Sequence, residues 1–303
     1  MQNVLESKTF IKKAKDTFSN YLEISKPRSV LLLYFTAFSS MIISSTVYSF
    51  DWTKIILLSI AVILGVMGAN ATTNYIDRKI DSEMERTKKR AIASGKINPA
   101  AKGLVFALVL VFSGIAIALY VNWLSAIFLF LGFFNSAILY NGLTKQKTRY
   151  NILIGAPSGG FPVLVAYAGV SGGRIDLIAV IMFIFIILWT PTHIWSLAYF
   201  YKEDYKKANI PMLPVFLNER QNHLLLALLS IAMVLISILL GYFYGFSYWF
   251  FGIIGALGIA VIIISIIIIV IPGKKFAWVL FKLSSPYLAI VFLMLVAEFI
   301  FWQ

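Results

Sequence analysis

Asp77 and Asp81 stand four residues apart, with Asn70, Thr73 and Asn74 ahead of them and Glu85 behind. Steps of three and four put all six on one face of a helix. Two carboxylates at that spacing suit a hard divalent cation, because Mg²⁺ takes one or two of them and completes its octahedron with water and phosphate oxygens. Basic residues follow at once: Arg86, Lys88, Lys89 and Arg90, then Lys145 and Lys147 further on. Such cations would receive the charge of a phosphate-bearing ligand. The competing reading is an interfacial helix end whose acids pair with Arg78, Lys79 and their neighbours, since DxxxD alone is a common pattern.

Three further stretches hold chemistry-bearing residues, each with a plain structural alternative. Residues 155–162, Gly-Ala-Pro-Ser-Gly-Gly-Phe-Pro, allow a kink or a close backbone approach; broken helices mark transporter sites, and glycine-rich packing is the alternative. His193 lies in Trp189-Thr190-Pro191-Thr192-His193-Ile194-Trp195, one imidazole among aromatic residues. It suits metal ligation or proton transfer, or a simple hydrogen bond inside a bundle. Glu203 and Asp204, between Lys202 and Lys206, offer a second acidic site opposite the first, or a solvated loop of mixed charge.

What positions these residues is a set of membrane spans. The 303 residues are 60% hydrophobic and only 13% charged, which excludes a soluble protein. A span needs about 20 mostly apolar residues. Nine such runs occur, near 29–49, 53–75, 103–122, 124–141, 151–170, 176–200, 222–243, 247–271 and 277–301. The third and fourth are divided only at Asn122 and Trp123, and the seventh and eighth by a Tyr/Gly/Ser stretch. With nine spans, 24 of the 26 Lys and Arg residues fall on one side, and only Lys54 and Arg174 on the other. The positive-inside rule then predicts a cytoplasmic N-terminus and an external C-terminus.

The expected fold is therefore an all-α polytopic bundle, with residues 1–25 as a cytoplasmic lead-in and 26–303 as the nine-helix domain. The formal charge of +13 is read as an effect of topology and anionic lipid, not of nucleic acid. The lead-in has no short apolar core of a secretory signal. Its lysines and its Glu6, Asp16 and Glu23 fit a mitochondrial presequence poorly, so it reads as an amphipathic or disordered segment on the membrane surface. With no cysteine, disulfides, thiolate metal sites and iron–sulfur clusters are excluded, and two histidines make a multi-His centre a poor fit.

Asn74-Tyr75-Ile76-Asp77-Arg78-Lys79-Ile80-Asp81, with Met84-Glu85-Arg86-Thr87-Lys88, resembles the first motif of the haem o synthase (protohaem IX farnesyltransferase) branch of the intramembrane UbiA-type prenyltransferases. Lys26-Pro27-Arg28 is similar to that family's motif before helix one. Lys145-x-Lys147-Thr148-x-x-Asn151-Ile152 through Phe161-Pro162 is similar to its central loop. Trp189-x-Pro191-x-His193-x-Trp195-x-Leu197-Ala198, with Asp204-Tyr205 and Ile210-Pro211-Met212-Leu213-Pro214, resembles the second motif that distinguishes the haem branch. The matches span roughly residues 26–214. The chain departs from the pattern at Thr73, where the family usually has Asn, and at Ala91, where it commonly has proline; the superfamily's second DxxxD is reduced to Asp204.

The resemblance implies a nine-helix UbiA-type bundle in the prokaryotic plasma membrane that transfers a farnesyl group from farnesyl diphosphate to a vinyl group of haem b, giving haem o and diphosphate. It assigns Asp77, Asp81 and Asp204 to Mg²⁺ with Asn74 in support. Arg86, Lys89, Arg90, Lys145 and Lys147 form the diphosphate clamp, and His193 contacts haem, which is substrate here. It also points to haem a synthase or a terminal oxidase as assembly partners. The alternatives are a UbiA-type enzyme acting on a quinone precursor or lipid phosphate and, more remotely, a secondary transporter. Helices seven to nine are expected to complete the lipid-facing bundle and the cavity wall.

Overall fold

The computed structural model describes the backbone of residues 2–271 and 273–302 and the side chains of residues 12–271 and 273–302. The side chains of Glu6 and Lys8 lie outside the described residues. The chain forms α1 (Gln2–Ile24), α2 (Pro27–Val47), α3 (Trp52–Glu83), α4 (Ala101–Val121) and α5 (Trp123–Phe133), which runs on as a π-helical segment, Phe134–Thr144. Then come α6 (Asn151–Gly155), α7 (Pro157–Val170), α8 (Leu177–Phe200), α9 (Lys202–Lys207), α10 (Leu213–Phe216), α11 (Glu219–Tyr244), α12 (Tyr248–Val270) and α13 (Lys274–Phe301). Among the described residues, nine helical segments are long and apolar enough to cross a membrane. Their boundaries follow the nine apolar runs, with one informative exception. The second span does not end near residue 75 but continues to Glu83, so Asp77 and Asp81 ride on the same rigid helix as the apolar run.

The two divisions that length alone had made are enforced by capping. Asn122 is extended, and its side chain accepts from the backbone N–H groups of Leu124 and Ser125, starting α5 afresh. At the second division Gly245 ends α11 in the left-handed region at φ 63°, and Ser247 caps α12. The buried Glu298 of α13 accepts from both the N–H and the hydroxyl of Ser247, which ties this turn to the bundle.

Residues 155–162 do not unwind. Ala156, between α6 and α7, keeps helical φ and ψ of −55° and −38°. A Cβ placed on Gly160 would lie 2.5 Å from the ring of Phe183, so glycine here permits close packing of α7 on α8. This is the packing alternative; the fifth span does divide at Ala156 into α6 and α7, but without unwinding.

Two apolar clusters organise the interior. One joins α7, α8 and α11 to α13 through Tyr167, Phe185, Trp195, Tyr287 and Phe292; the other joins α2 to α5 and α7 through Met41, Leu58, Val62, Leu129 and Val165. Large apolar side chains such as Val105, Leu119, Leu228 and Ile259 face outward, as lipid contact requires. Members of both clusters wall one cavity.

Candidate active site

The cavity has a volume of about 690 Å³, within the range of small-molecule sites. Its polar end is built by α3, the segment after it, the approach to α2 and the end of the π-helical segment. Asp77 and Asp81 lie on its wall and are 3% and 2% exposed. Each is held by a cation. Lys145 Nζ lies 2.5 Å from Asp77 Oδ2, and Arg90 Nη1 lies 2.8 Å from Asp81 Oδ2. Arg78 does not pair with them; it donates to the Tyr75 carbonyl and covers the Tyr75 ring. The helix-end reading, with the acids paired to Arg78 and Lys79, therefore does not describe this stripe.

Arg28, Arg86 and Lys26 complete the cationic lining. Arg86 reaches the Tyr205 hydroxyl at 3.4 Å. Lys26 sits in the left-handed region at φ 53°, just before Pro27, and donates to the Thr73 hydroxyl at 3.0 Å. Burial lowers its pKa to about 7; Arg90 and Lys145 push the same way, and Asp77 and Asp81 only partly oppose them. Lys26 and Arg28 were visible as a motif, yet no local signal in the sequence said that they face the carboxylates.

Several expected residues stand elsewhere. Lys89 and Lys147 are exposed and do not line the cavity, whereas their neighbours Arg90 and Lys145 do. Asn74 is buried, but its amide donates to the carbonyls of Ile24 and Asn70, so Thr73 and Asn70 are the polar groups above Asp77 on the wall. Glu85 falls beyond the end of α3 and pairs in the open with Lys88 at 2.6 Å; that contact lowers its pKa. Asp204 accepts from the Glu85 backbone N–H at 3.2 Å and does not line the cavity. Among the described residues, no three carboxylate or imidazole side chains converge at metal-holding spacing. Two buried carboxylate oxygens, Asp77 Oδ1 and Asp204 Oδ2, nonetheless have no hydrogen-bond partner among the described residues. An orphaned carboxylate oxygen is costly and suits a cation that brings its own charge.

Away from the charges the wall is apolar and aromatic, with Leu33, Phe128, Leu129, Phe133 and Phe161. His193 lies on it, stacked between Trp189 and Phe281, with ring centroids 4.5 Å and 4.3 Å away. Phe281 and Ser285 belong to α13, so the last helix completes the cavity wall, as expected.

The family model described as the UbiA prenyltransferase family matches residues 32–301. The chain belongs to this family. A UbiA prenyltransferase is an enzyme of the membrane interior, in agreement with the nine apolar helices and with a cavity whose charged and apolar halves are separate. Among similar curated proteins, the protoheme IX farnesyltransferase of Desulforudis audaxviator is 36% identical over 94% of this chain and 89% of its own. That of Thermoplasma acidophilum is 37% identical over 90% and 95%. Among solved structures, a digeranylgeranylglyceryl phosphate synthase superposes with a TM-score of 0.77 at 21% identity, covering 93% of this chain and 98% of its own. A UbiA homologue from Archaeoglobus fulgidus, bound to DMAPP and Mg²⁺, superposes with a TM-score of 0.62 at 14% identity, covering 91% and 99%. These structural likenesses bear on the fold.

Proposed function

We propose that this chain is a haem o synthase, transferring a farnesyl group from farnesyl diphosphate to a vinyl group of haem b. The observation that carries the reading is one cavity with two unlike parts, one lined by five cations together with Asp77 and Asp81 and the other by an aromatic wall holding His193. The names of its relatives point the same way.

The reaction breaks the allylic C–O bond of the donor. The electron pair leaves with the diphosphate, and the allylic cation is attacked by the terminal vinyl carbon. Water adds to the resulting cation beside the porphyrin and loses one proton, so farnesyl diphosphate, haem b and water give haem o and diphosphate. Stabilising the leaving group is the largest task. Arg28, Arg86 and Lys26 line the space that it would occupy, and Arg90 and Lys145 can move to it from their carboxylates. Asp77 and Asp81 would hold Mg²⁺, with Asp204 brought in from the adjoining segment; Mg²⁺ would supply charge neutralisation of the diphosphate oxygens. The apolar wall excludes water from the allylic cation until the acceptor has reacted. On this reading the basic end of the bundle faces the cytoplasm, as the positive-inside rule directs.

The test is mass analysis of extracted haem from a bacterial strain lacking its own haem o synthase, expressing this chain or its Asp77→Asn/Asp81→Asn variant. A hydroxyethylfarnesyl haem formed by the first and absent with the second is expected. Unmodified haem b beside correctly inserted protein would transfer the reading to quinone precursors or lipid phosphates as acceptors.

A further inference from the structure

His193 is held on three sides. Trp189 and Phe281 cover its faces, and its Nδ1 lies 2.8 Å from the hydroxyl of Ser284 on α13. That hydroxyl has one proton, and it is directed to the carbonyl of Phe281 at 2.8 Å. With its proton given to that carbonyl, the Ser284 oxygen is left to accept from His193, and the proton in the His193–Ser284 bond is then on Nδ1. A neutral imidazole has one N–H and one lone pair. With Nδ1 protonated, the lone pair lies on Nε2. His193 lines the cavity, and Nε2 is the ring nitrogen that Ser284 does not engage.

Ser284 also anchors Trp189. Its backbone carbonyl accepts from Trp189 Nε1 at 2.8 Å, so one residue of α13 orients both the imidazole and one of the rings stacked on it. Because that second bond uses the main chain, removing the Ser284 hydroxyl changes the imidazole and leaves the tryptophan in place.

We infer that Ser284 is a positioning residue of the acceptor end of the cavity: it fixes His193 as the Nδ1–H tautomer and presents a bare Nε2 as the ligand for the iron of haem b. The inference rests on the acceptor assigned under Proposed function. Partners that orient a metal-ligating imidazole in this way typically change metal affinity by about 10- to 100-fold when removed. Ser284→Ala therefore lets the ring rotate and exchange tautomers, while Ser284→Thr retains the acceptor oxygen.

The experiment uses the full chain in detergent, labelled with ¹⁵N at the imidazoles, and compared with its His193→Ala variant. Only two histidines are present, so the signal lost in that variant is that of His193. The expected spectrum shows His193 protonated at Nδ1, with this preference lost in Ser284→Ala and kept in Ser284→Thr. Titration with haem b alone should show a histidine-ligated Soret band, bound about 10- to 100-fold more weakly by Ser284→Ala, restored by Ser284→Thr and absent in His193→Ala. A wild-type His193 protonated at Nε2, or a Ser284→Ala variant that binds haem as tightly as wild type, overturns the inference. Haem o formation is then scored separately. If haem o forms while Ser284→Ala leaves tautomer and affinity unchanged, the positioning role falls and the function stands. If the tautomer shifts as expected but no haem o forms and no Soret band appears, the acceptor is wrong and the iron-ligand role falls with it.

Discussion

Asp77 on α3 and Lys145 at the end of the π-helical segment are 68 positions apart in the chain, yet they form an ion pair at 2.5 Å with both side chains largely buried. Asp81 and Arg90 repeat the arrangement one turn along. In both pairs a cation expected to clamp diphosphate rests on a carboxylate expected to hold metal. The two roles are compatible if ligand entry exchanges partners, each cation passing to the diphosphate as Mg²⁺ takes its carboxylate.

The first prediction follows from that pairing. Lys145→Met strands Asp77 as a buried, unpaired carboxylate, which costs about 3–5 kcal/mol. Adding Asp77→Asn should recover most of the thermal midpoint in detergent and none of the turnover. A double variant as unstable as the single one would remove the pair from the account.

Lys26 sets a pH dependence. Its folded pKa, about 7, lies below the ordinary value of 10.5. Between those values the free protein lacks a proton that a bound diphosphate would restore, so binding takes up a proton and affinity falls as pH rises above 7. The fall should approach tenfold per unit at its steepest, flatten below about pH 6, and disappear in Lys26→Met. Titration of a prenyl diphosphate between pH 6 and 9 measures it, and an equal slope in the variant would assign the effect elsewhere.

Asn74 separates support of a metal from support of the fold. Its amide is committed to the carbonyls of Ile24 and Asn70, so Asn74→Ala should loosen the end of α1 at a cost of about 1 kcal/mol. The Mg²⁺ concentration for half-maximal activity should hardly move, in contrast to Asp81→Asn. Limited proteolysis of the first 25 residues and a Mg²⁺ titration decide between the two roles. A metal requirement raised as much as in Asp81→Asn would return Asn74 to the metal.

Gly159 and Gly160 should behave differently although they are neighbours. A Cβ on Gly160 meets the Phe183 ring at 2.5 Å and its carbonyl at 3.1 Å, whereas one on Gly159 meets Ile186 at 3.3 Å and Thr190 at 3.6 Å. Gly160→Ala is expected to cost about 1–3 kcal/mol through overpacking. Gly159→Ala should fold and narrow the cavity that Gly159 lines, raising KM for the acceptor more than it lowers kcat. Equal thermal midpoints for the two variants would contradict this.

The periodicity of Asp77 and Asp81 and the apolar runs around them were legible because both are local. Helix geometry alone puts residues four apart on one face, and a bilayer demands some 20 apolar residues per crossing. The motif around His193 falls on a stretch of α8 that lines the cavity. Loop side chains have no such rule. Lys145 and Lys147, or Lys89 and Arg90, are alike in composition, and the ones that turn inward do so beside carboxylates of α3: Asp77 lies 68 positions before Lys145, and Asp81 just ahead of Arg90.

The sequence by itself determined the membrane class, the nine spans, the acidic stripe and the aromatic stretch that holds His193. Only the tertiary structure decided which cations meet which acids, brought Lys26 into the polar end, turned Asn74 toward α1 and set Ser284 of α13 against His193. Apart from Arg90 and Asp81, nine positions apart, those are contacts between residues roughly 50 to 90 positions apart. They arise from how helices pack side by side, and spacing along the chain carries no record of that.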